Sequence, residues 1–477
     1  MWKILHKYFI INKLQYSCNL FFIVIFLSCG TDKKNQDISQ KPNVVFILVD
    51  DLGYGDITAY GQKNYDTQNI DNIGKEGVLA TNFYVPTPYC APSRASLLTG
   101  RFPLRHQLIK NPTPDAHIEV DTIGLNTNEV TIAELFKNAN YKTKAIGKWH
   151  LGHQPKYFPI NQGFDEYYGI LYSNDMRPVQ IIQNKDTVQT KVDQRYLTKD
   201  YTTKAIDFIN KQKDNSFFLY LSHAMPHKPL AASEEFYTPE TPKDLYADVL
   251  RELDWSIGEV IKSLQKNNIL ENTIVVFMSD NGPWYGGSTG GLKGMKATTW
   301  EGGIRVPMMI RYPKVFPKNT VVHTPLSSLD LLPTLMALTN VDFPKTIQLD
   351  GVDITKHLKK EGTTHPPIFS MHNDKIMSIR KGDFKLFVRR PPVFEYKDYS
   401  DWIDPRGPDG TTIIAQTEQA TPNDYPGIIP KISDTDIQLY NLVEDPAEQK
   451  NITNQHPEKV QELLQEYQNY IKTLSLN

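Results

Sequence analysis

Cysteine is almost missing from this chain: 3 in 477 residues, at Cys18, Cys29 and Cys90. So few exclude a scaffold stapled by disulfides, which needs several pairs. No Cys-x-x-Cys and no His-Glu-x-x-His spacing occurs, so the common zinc sites have no starting point. An excess of one charge is missing too. The 52 Lys and Arg nearly balance the 54 Asp and Glu, leaving −2, which gives no footprint for nucleic acid. No apolar run reaches the roughly 20 residues that a bilayer-spanning helix needs. Short-period repeats are absent as well. By contrast, 21 Phe and 25 Tyr are far more than a disordered chain carries. Such a length and aromatic content suit one large α/β domain with a smaller one beside it. Aromatics also line sugar-binding clefts, but a large core claims them first.

The N-terminus reads as separate from the fold. Lys3, His6, Lys7 and Lys13 form a basic region, Leu20–Leu27 is a short apolar run, and Ser28-Cys29-Gly30 follows. That order is an export signal. Leu27-Ser28-Cys29-Gly30 resembles a bacterial lipobox, which implies cleavage before Cys29 and acylation of that cysteine. The expectation is a signal over 1–28, a polar tether over 29–41, and an exported bacterial lipoprotein of the cell envelope, in the periplasm or at the outer membrane. A membrane is then a partner through the lipid. An ordinary cleaved signal with an incidental cysteine is the alternative. On the lipobox reading no pair of cysteines remains for a disulfide in the mature chain, and a Cys29–Cys90 bridge would have to span the tether.

Beyond the tether, Val44–Val49 is a continuous apolar run ending in Asp50-Asp51. Such runs suit strands buried on both faces of a parallel sheet. The pattern returns three times. Thr143–Gly147 runs into Lys148-Trp149-His150, Phe217–Leu221 into His223 and His227, and Thr273–Met278 into Asp280-Asn281. Open α/β sheets bind ligands at the carboxyl ends of their strands, where these polar groups fall. Helical segments lie between them, including Thr131–Asn138, where Thr131 and Glu134 suit a capping box, and Tyr246–Lys266. The alternation predicts a large, mainly parallel sheet sandwiched by helices over 42–375. From 376 to 477 the pattern changes. Ile376–Arg380 and Phe384–Phe387 flank a Lys381-Gly382-Asp383 turn, Asp436–Tyr440 reads as another strand, and Glu458–Thr473 as an amphipathic helix. A smaller α+β subdomain with an antiparallel sheet is expected there, with an irregular Pro391–Pro430 stretch.

Asp50, Asp51, Asp280 and Asn281 are all oxygen donors at strand ends, a set that suits calcium or magnesium rather than zinc. Cys90-Ala91-Pro92-Ser93-Arg94-Ala95-Ser96-Leu97-Leu98-Thr99-Gly100-Arg101 is the most specific stretch of the chain. It resembles the signature of the formylglycine-dependent type I sulfatases, an arylsulfatase-like family of the alkaline phosphatase superfamily. Gly147-Lys148-Trp149-His150-Leu151-Gly152 resembles that family's second signature. Gly291–Pro307 resembles its glycine-rich loop, and Leu439-Tyr440-Asn441-Leu442 with Asp445-Pro446 a common C-terminal feature.

The resemblance implies a sulfuric ester hydrolase that acts on sulfate monoesters. Cys90 would be oxidised to formylglycine (3-oxoalanine) by a formylglycine-generating enzyme, and the aldehyde hydrate would be the nucleophile. Asp50, Asp51, Asp280, Asn281 and the modified Cys90 would bind calcium. Arg94 would activate the hydrate and Lys148 would hold the sulfate. His150 would take the proton from the second hydroxyl, and His227 would protonate the leaving oxygen. Two choices arise within the motifs. Pro226-His227-Lys228-Pro229 matches the family pattern, which selects His227 over His223. Lys296, just before Thr298-Thr299-Trp300-Glu301-Gly302-Gly303, matches the catalytic lysine, while Lys293 is left to line the substrate cleft. Glu301 and Arg305 would brace the loop.

The resemblance also implies substrate contacts from Ser173, Asn174, Asp175 and Arg177, in the run after Gly163–Gly169, a region that in related enzymes approaches the sulfate and its leaving group. Turn formation is the alternative for these residue types. A sulfated carbohydrate, either algal polysaccharide fragments or host glycosaminoglycans, is the expected substrate. Two other functions compete: a related phosphomonoester or phosphonate hydrolase, and a non-catalytic glycan-binding lipoprotein.

Overall fold

The computed structural model describes residues 41–114, 122–392, 402–403, 412–413 and 435–474. The expected signal, the tether, Cys29 and most of Pro391–Pro430 lie outside these residues. Among the described residues, twelve strands precede the C-terminal part: β1 (Asn43–Val49), β2 (Val78–Ala80), β3 (Phe83–Tyr84), β4 (Lys142–Gly147), β5 (Glu166–Gly169), β6 (Ile181–Gln183), β7 (Asp186–Gln189), β8 (Phe217–Ser222), β9 (Thr273–Ser279), β10 (Met308–Arg311), β11 (Thr320–Val322) and β12 (Leu326–Ser327).

Ten of them form one sheet in the order β11-β2-β10-β9-β1-β8-β4-β5-β6-β7. Its centre, β9-β1-β8-β4-β5, is parallel throughout. β10 runs antiparallel to both of its neighbours, and β6 and β7 extend the far edge as an antiparallel hairpin. β3 and β12 pair separately.

The apolar run of β1 is explained by the pleat. Val44, Phe46 and Leu48 enter one core with Ala91, Ala95 and Leu98 of the Cys90–Thr99 helix. Val45, Ile47 and Val49 enter the opposite core with Leu250, Leu253 and Ile257 of the Thr241–Lys266 helix. Side chains alternate across a strand, so a strand covered on both faces is apolar at every position. Between the strands, the Ile132–Asn138 helix carries the expected capping box. Thr131 accepts from the Glu134 backbone N–H at 3.2 Å, and Glu134 accepts from the Thr131 N–H at 2.8 Å.

The C-terminal sheet is four-stranded and antiparallel: β13 (Ile368–His372), β14 (Lys375–Lys381), β15 (Phe384–Phe387) and, after a short pair β16 (Trp402–Ile403) and β17 (Thr412–Ile413), β18 (Gln438–Asn441). β13 begins ahead of position 376 and hydrogen-bonds to β14. The Pro457–Leu474 helix buries Leu463 against this sheet's apolar face. The chain from Lys41 onward gathers into one compact unit, and no described helix is long and apolar enough to cross a membrane.

Candidate active site

Register brings the site together. β1 and β9 are parallel with Val49 opposite Ser279, so Asp50-Asp51 and Asp280-Asn281 leave neighbouring strands at one level. On the other side, β8 pairs Ser222 with Leu48 of β1 and with Gly147 of β4. The Lys148–His150 segment therefore starts beside the aspartates. Gly147 has φ of 101°, and a Cβ there would sit 1.8 Å from the Ser222 carbonyl oxygen. Only glycine allows that approach.

Cys90 is the first residue of its helix, and Arg94 follows one turn later on the same face. Arg94 is fully buried and ties four groups together. Its Nε donates to Asp280 at 2.8 Å, one terminal nitrogen donates to the Lys148 carbonyl at 2.9 Å and to Ser222 Oγ at 2.6 Å, and the other lies 3.3 Å from Asp50. Lys148 pairs with Asp50 and donates to Ser173 Oγ at 3.0 Å. Asp51 receives Asn281 Nδ2 and Lys296 Nζ, each at 2.7 Å, and its backbone N–H donates to Asp280 at 3.1 Å. Cys90 Sγ lies 3.9 Å from Asp51 Oδ1, and His227 Nε2 lies 3.6 Å from Asp51 Oδ2.

Buried charge shifts these groups. Burial alone would raise the Asp50 carboxyl, but Lys148, His227 and Arg94 hold it well below the usual carboxylate range. Asp280 is pushed up to about 7 by burial and by the Asp50 carboxylate, with Arg94 pulling the other way. Burial pushes the Cys90 thiol up, which makes the unmodified cysteine a poor nucleophile. His150 is lowered by burial and then by Lys148 and Arg94, and both its ring nitrogens are buried without a hydrogen-bond partner among the described residues. His227 is lowered by burial and by Lys296.

The donor set fits a hard cation. Asp50, Cys90 and Asp280 offer ligand atoms within 4.8 Å of one another, as do Asp51, Cys90 and His227. Asn281 Oδ1 is buried with no hydrogen-bond partner among the described residues, an oxygen that a cation would satisfy. Crowded carboxylates that hold Asp280 near neutrality call for positive charge between them.

The predicted substrate residues divide. Ser173 lies inside the site, 3.0 Å from Lys148 Nζ and 3.5 Å from His227 Nε2. Asp175 lines a pocket of about 300 Å³ over the site, together with Asp51, His227 and Lys296. Asn174 is buried, and its amide donates to the carbonyls of His227 and Pro229, so it holds the histidine loop. Arg177 is exposed, donates to the Asn174 carbonyl at 3.1 Å and lines a neighbouring groove. Lys293 is not brought to the pocket. Its ammonium donates to the Glu448 carbonyl at 2.8 Å and sits 3.8 Å from the centre of the Trp300 ring. His223 packs behind the site against Ser256 and is pushed down to about 3 by burial.

Glu301 braces the glycine-rich loop: it accepts from Tyr84 at 2.6 Å and Lys385 at 3.1 Å, and its N–H donates to Glu448 at 2.8 Å. Arg305 adds a bond to the Thr81 carbonyl at 2.9 Å. Ser222 and Trp284 escaped the reading of the sequence. Ser222 ends β8, where a polar residue was the available signal. Trp284, three residues after Asn281, is half-buried and lines the pocket with Lys228 and Ala297, and an aromatic in an irregular segment carries no period.

These features place the molecule in a class that the comparisons define. The family model described as Sulfatase matches residues 42–341. The chain is 35% identical over 375 residues to N-acetylgalactosamine-6-sulfatase of Homo sapiens, covering 72% of this chain and 71% of that protein. It is 36% identical over 372 residues to arylsulfatase G of Homo sapiens, covering 67% and 69%. Among solved structures, Ps i-CgsB in complex with a neocarrahexaose aligns with a TM-score of 0.75 at 28% identity, over 90% of this chain and 93% of that one. The chain belongs to the sulfatase family. It is a sulfuric ester hydrolase, which sets aside the readings as a phosphoester hydrolase and as a non-catalytic glycan-binding protein.

Proposed function

We propose that this enzyme removes sulfate from sulfated carbohydrate, using formylglycine made from Cys90 and one calcium ion. Support comes from the relatives. One is named N-acetylgalactosamine-6-sulfatase, and one structural neighbour is in complex with a neocarrahexaose. The observation that carries the reading is the convergence on Cys90. Two aspartate-containing ligand groups share its side chain, while Lys148, Lys296 and His227 face the same space.

Asp50, Asp51, Asp280 and Asn281 would hold the cation, which when bound neutralises sulfate oxygens; formylglycine supplies an oxygen nucleophile in place of the thiol. The chain's own groups do the rest. Lys148 and Lys296 stand where anionic sulfate oxygens would be clamped. Arg94 holds Asp280 and Asp50 in place from within the core. His227 Nδ1 lies 2.6 Å from the Lys228 carbonyl, a contact that only Nδ1–H can make, so Nε2 faces the leaving oxygen. An arriving sulfate anion opposes the effect of Lys296 and favours the protonated ring, which can then act as an acid. His150 is held neutral, as a proton acceptor must be.

Maturation by a formylglycine-generating enzyme and anchoring through Cys29 in the cell envelope belong to the same proposal. The test is sulfate release from algal and animal sulfated oligosaccharides, read by ion chromatography on protein co-produced with a maturation enzyme. Release that disappears in Cys90→Ala is expected. Undiminished release in that variant would overturn the mechanism.

A further inference from the structure

Four residues of the pocket wall lie outside the groups assigned to sulfate. Once Asp51, His227 and Lys296 are assigned to the reacting group, Asp175, Lys228, Trp284 and Ala297 remain. We propose that Trp284 and Asp175 form a recognition pair for the pyranose that bears the sulfate, with the indole packing on the sugar's C–H face and the carboxylate accepting from a sugar hydroxyl. The inference rests on the sulfatase reading and names the part of the substrate that the site selects.

Both residues are tied by short connections to groups at the reaction centre. Pro283, immediately before Trp284, accepts the backbone N–H of Lys296 at 2.8 Å. The indole therefore keeps a set relation to the lysine that faces the sulfate. Its ring stands edge-on to Tyr285, with centres 5.2 Å apart and planes at 85°. The buried Lys228 ammonium lies 5.8 Å from the Trp284 ring centre and 5.6 Å from that of Tyr285. A cation beside both rings and an edge-on neighbour hold the platform still. Asp175 sits two residues past Ser173, whose hydroxyl touches Lys148 and His227. Ala297 adds no bulk, and its positive φ of 65° turns the chain beside Lys296.

This chemistry selects a class of ligand. The face of an indole is negative and attracts the polarised C–H bonds of a pyranose ring. A carboxylate accepting from a hydroxyl makes a charge-assisted bond. The same carboxylate repels a carboxylate or second sulfate at that place. The pair therefore favours a neutral hexose or N-acetylhexosamine with a single sulfate over a sugar that turns a second anionic group toward Asp175.

Calorimetry on the full chain carrying Cys90→Ala tests the pair without turnover. The probes are methyl galactosides and N-acetylgalactosaminides with one sulfate at O-3, O-4 or O-6, and inorganic sulfate alone. Trp284→Ala is expected to weaken the best sugar sulfate about 10-fold or more, since one stacking contact is worth about that factor. Trp284→Phe should recover most of the loss, and neither change should move the affinity for inorganic sulfate more than about two-fold, because the sulfate clamp is elsewhere. Asp175→Asn should weaken the sugar sulfate and reduce discrimination against a disulfated sugar. An unchanged sugar affinity in Trp284→Ala, an equal loss for inorganic sulfate, or no binding of any sugar probe overturns the pair. Aryl sulfate turnover by the mature enzyme without sugar binding would leave the sulfatase reading standing and remove the pair. Sugar binding without sulfate release from any ester would do the reverse.

Discussion

The Arg94 guanidinium and the Asp280 carboxylate meet at 2.8 Å, with 0% and 1% of their side chains exposed. Arg94 also spans to Asp50, the Lys148 carbonyl and Ser222, so one side chain from the Cys90 helix fastens four strand ends. Removing it leaves buried carboxylates without their counter-charge. Arg94→Ala should cost about 3–5 kcal/mol of stability, the range for breaking a buried pair by deleting one partner. Arg94→Lys should recover part of that loss while activity stays low, because an ammonium cannot reproduce the fork. Chemical denaturation and sulfate release on the same preparations separate the two effects.

Calcium should stabilise as well as activate. Asp280, pushed up to about 7 among neighbouring carboxylates, marks charge that a bound cation relieves. Removing metal with EGTA should lower the melting temperature and abolish sulfate release, and added calcium should restore both. At a calcium concentration of 100 Kd the gain is about 2.7 kcal/mol. A melting temperature indifferent to calcium would remove the cation from the site.

Lys293 and Lys296 should separate cleanly. Lys296 donates to Asp51 at 2.7 Å, whereas Lys293 donates to the Glu448 carbonyl and packs on Trp300. Lys296→Ala is expected to lower kcat/KM about 100-fold or more with little change in folding. Lys293→Ala should instead lower stability by about 1–3 kcal/mol, through a lost buried bond and cation–π contact, with the activity of the folded fraction retained. Thermal melts and rates per folded molecule decide between them.

Glu252 gives a pH signature distant from the chemistry. It accepts from the Ser233 N–H at 3.1 Å and hydroxyl at 2.6 Å, and burial pushes it up to about 7. The folded state then binds more protons than the unfolded state between the ordinary glutamate range and pH 7. Stability on this account falls as pH rises through that window, by about 3 kcal/mol. Glu252→Gln should flatten that part of the profile. Denaturant melts from pH 4.5 to 8 measure it, and an identical slope in the variant would refute the assignment.

Anchoring is tested by fractionation. Cys29→Ala should release the protein from the membrane fraction to the soluble one while sulfate release persists. Retention on membranes would show that the lipid is not the anchor.

Much of the site was readable because its signals are local. Cys90 and Arg94 are four apart on one helix face, and Asp50, Lys148 and Asp280 each follow an apolar run that a two-sided sheet requires. The antiparallel C-terminal sheet was readable from its hairpin. The antiparallel course of β10 within the large sheet was not, because an apolar strand carries no mark of direction. The motif separates Lys296 from Lys293, but an irregular loop has no period to show that Lys293 turns away to the Glu448 carbonyl and Trp300. The family resemblance points to the whole Ser173–Arg177 run, but it does not record that the chain sends Asn174 and Arg177 to different neighbours from Ser173 and Asp175.

Which residue types are at hand is legible in one dimension: a cysteine in a rare setting, oxygen donors at strand ends, and lysines and histidines beside glycines. Those follow from composition, spacing and the periods of strand and helix. The tertiary structure alone decided which of them share a space. Strand register set Asp50 level with Asp280, one guanidinium bound both, and the loop after Asn281 brought Trp284 to the pocket. Pairings across more than 180 residues depend on packing and register, and a linear pattern does not record them.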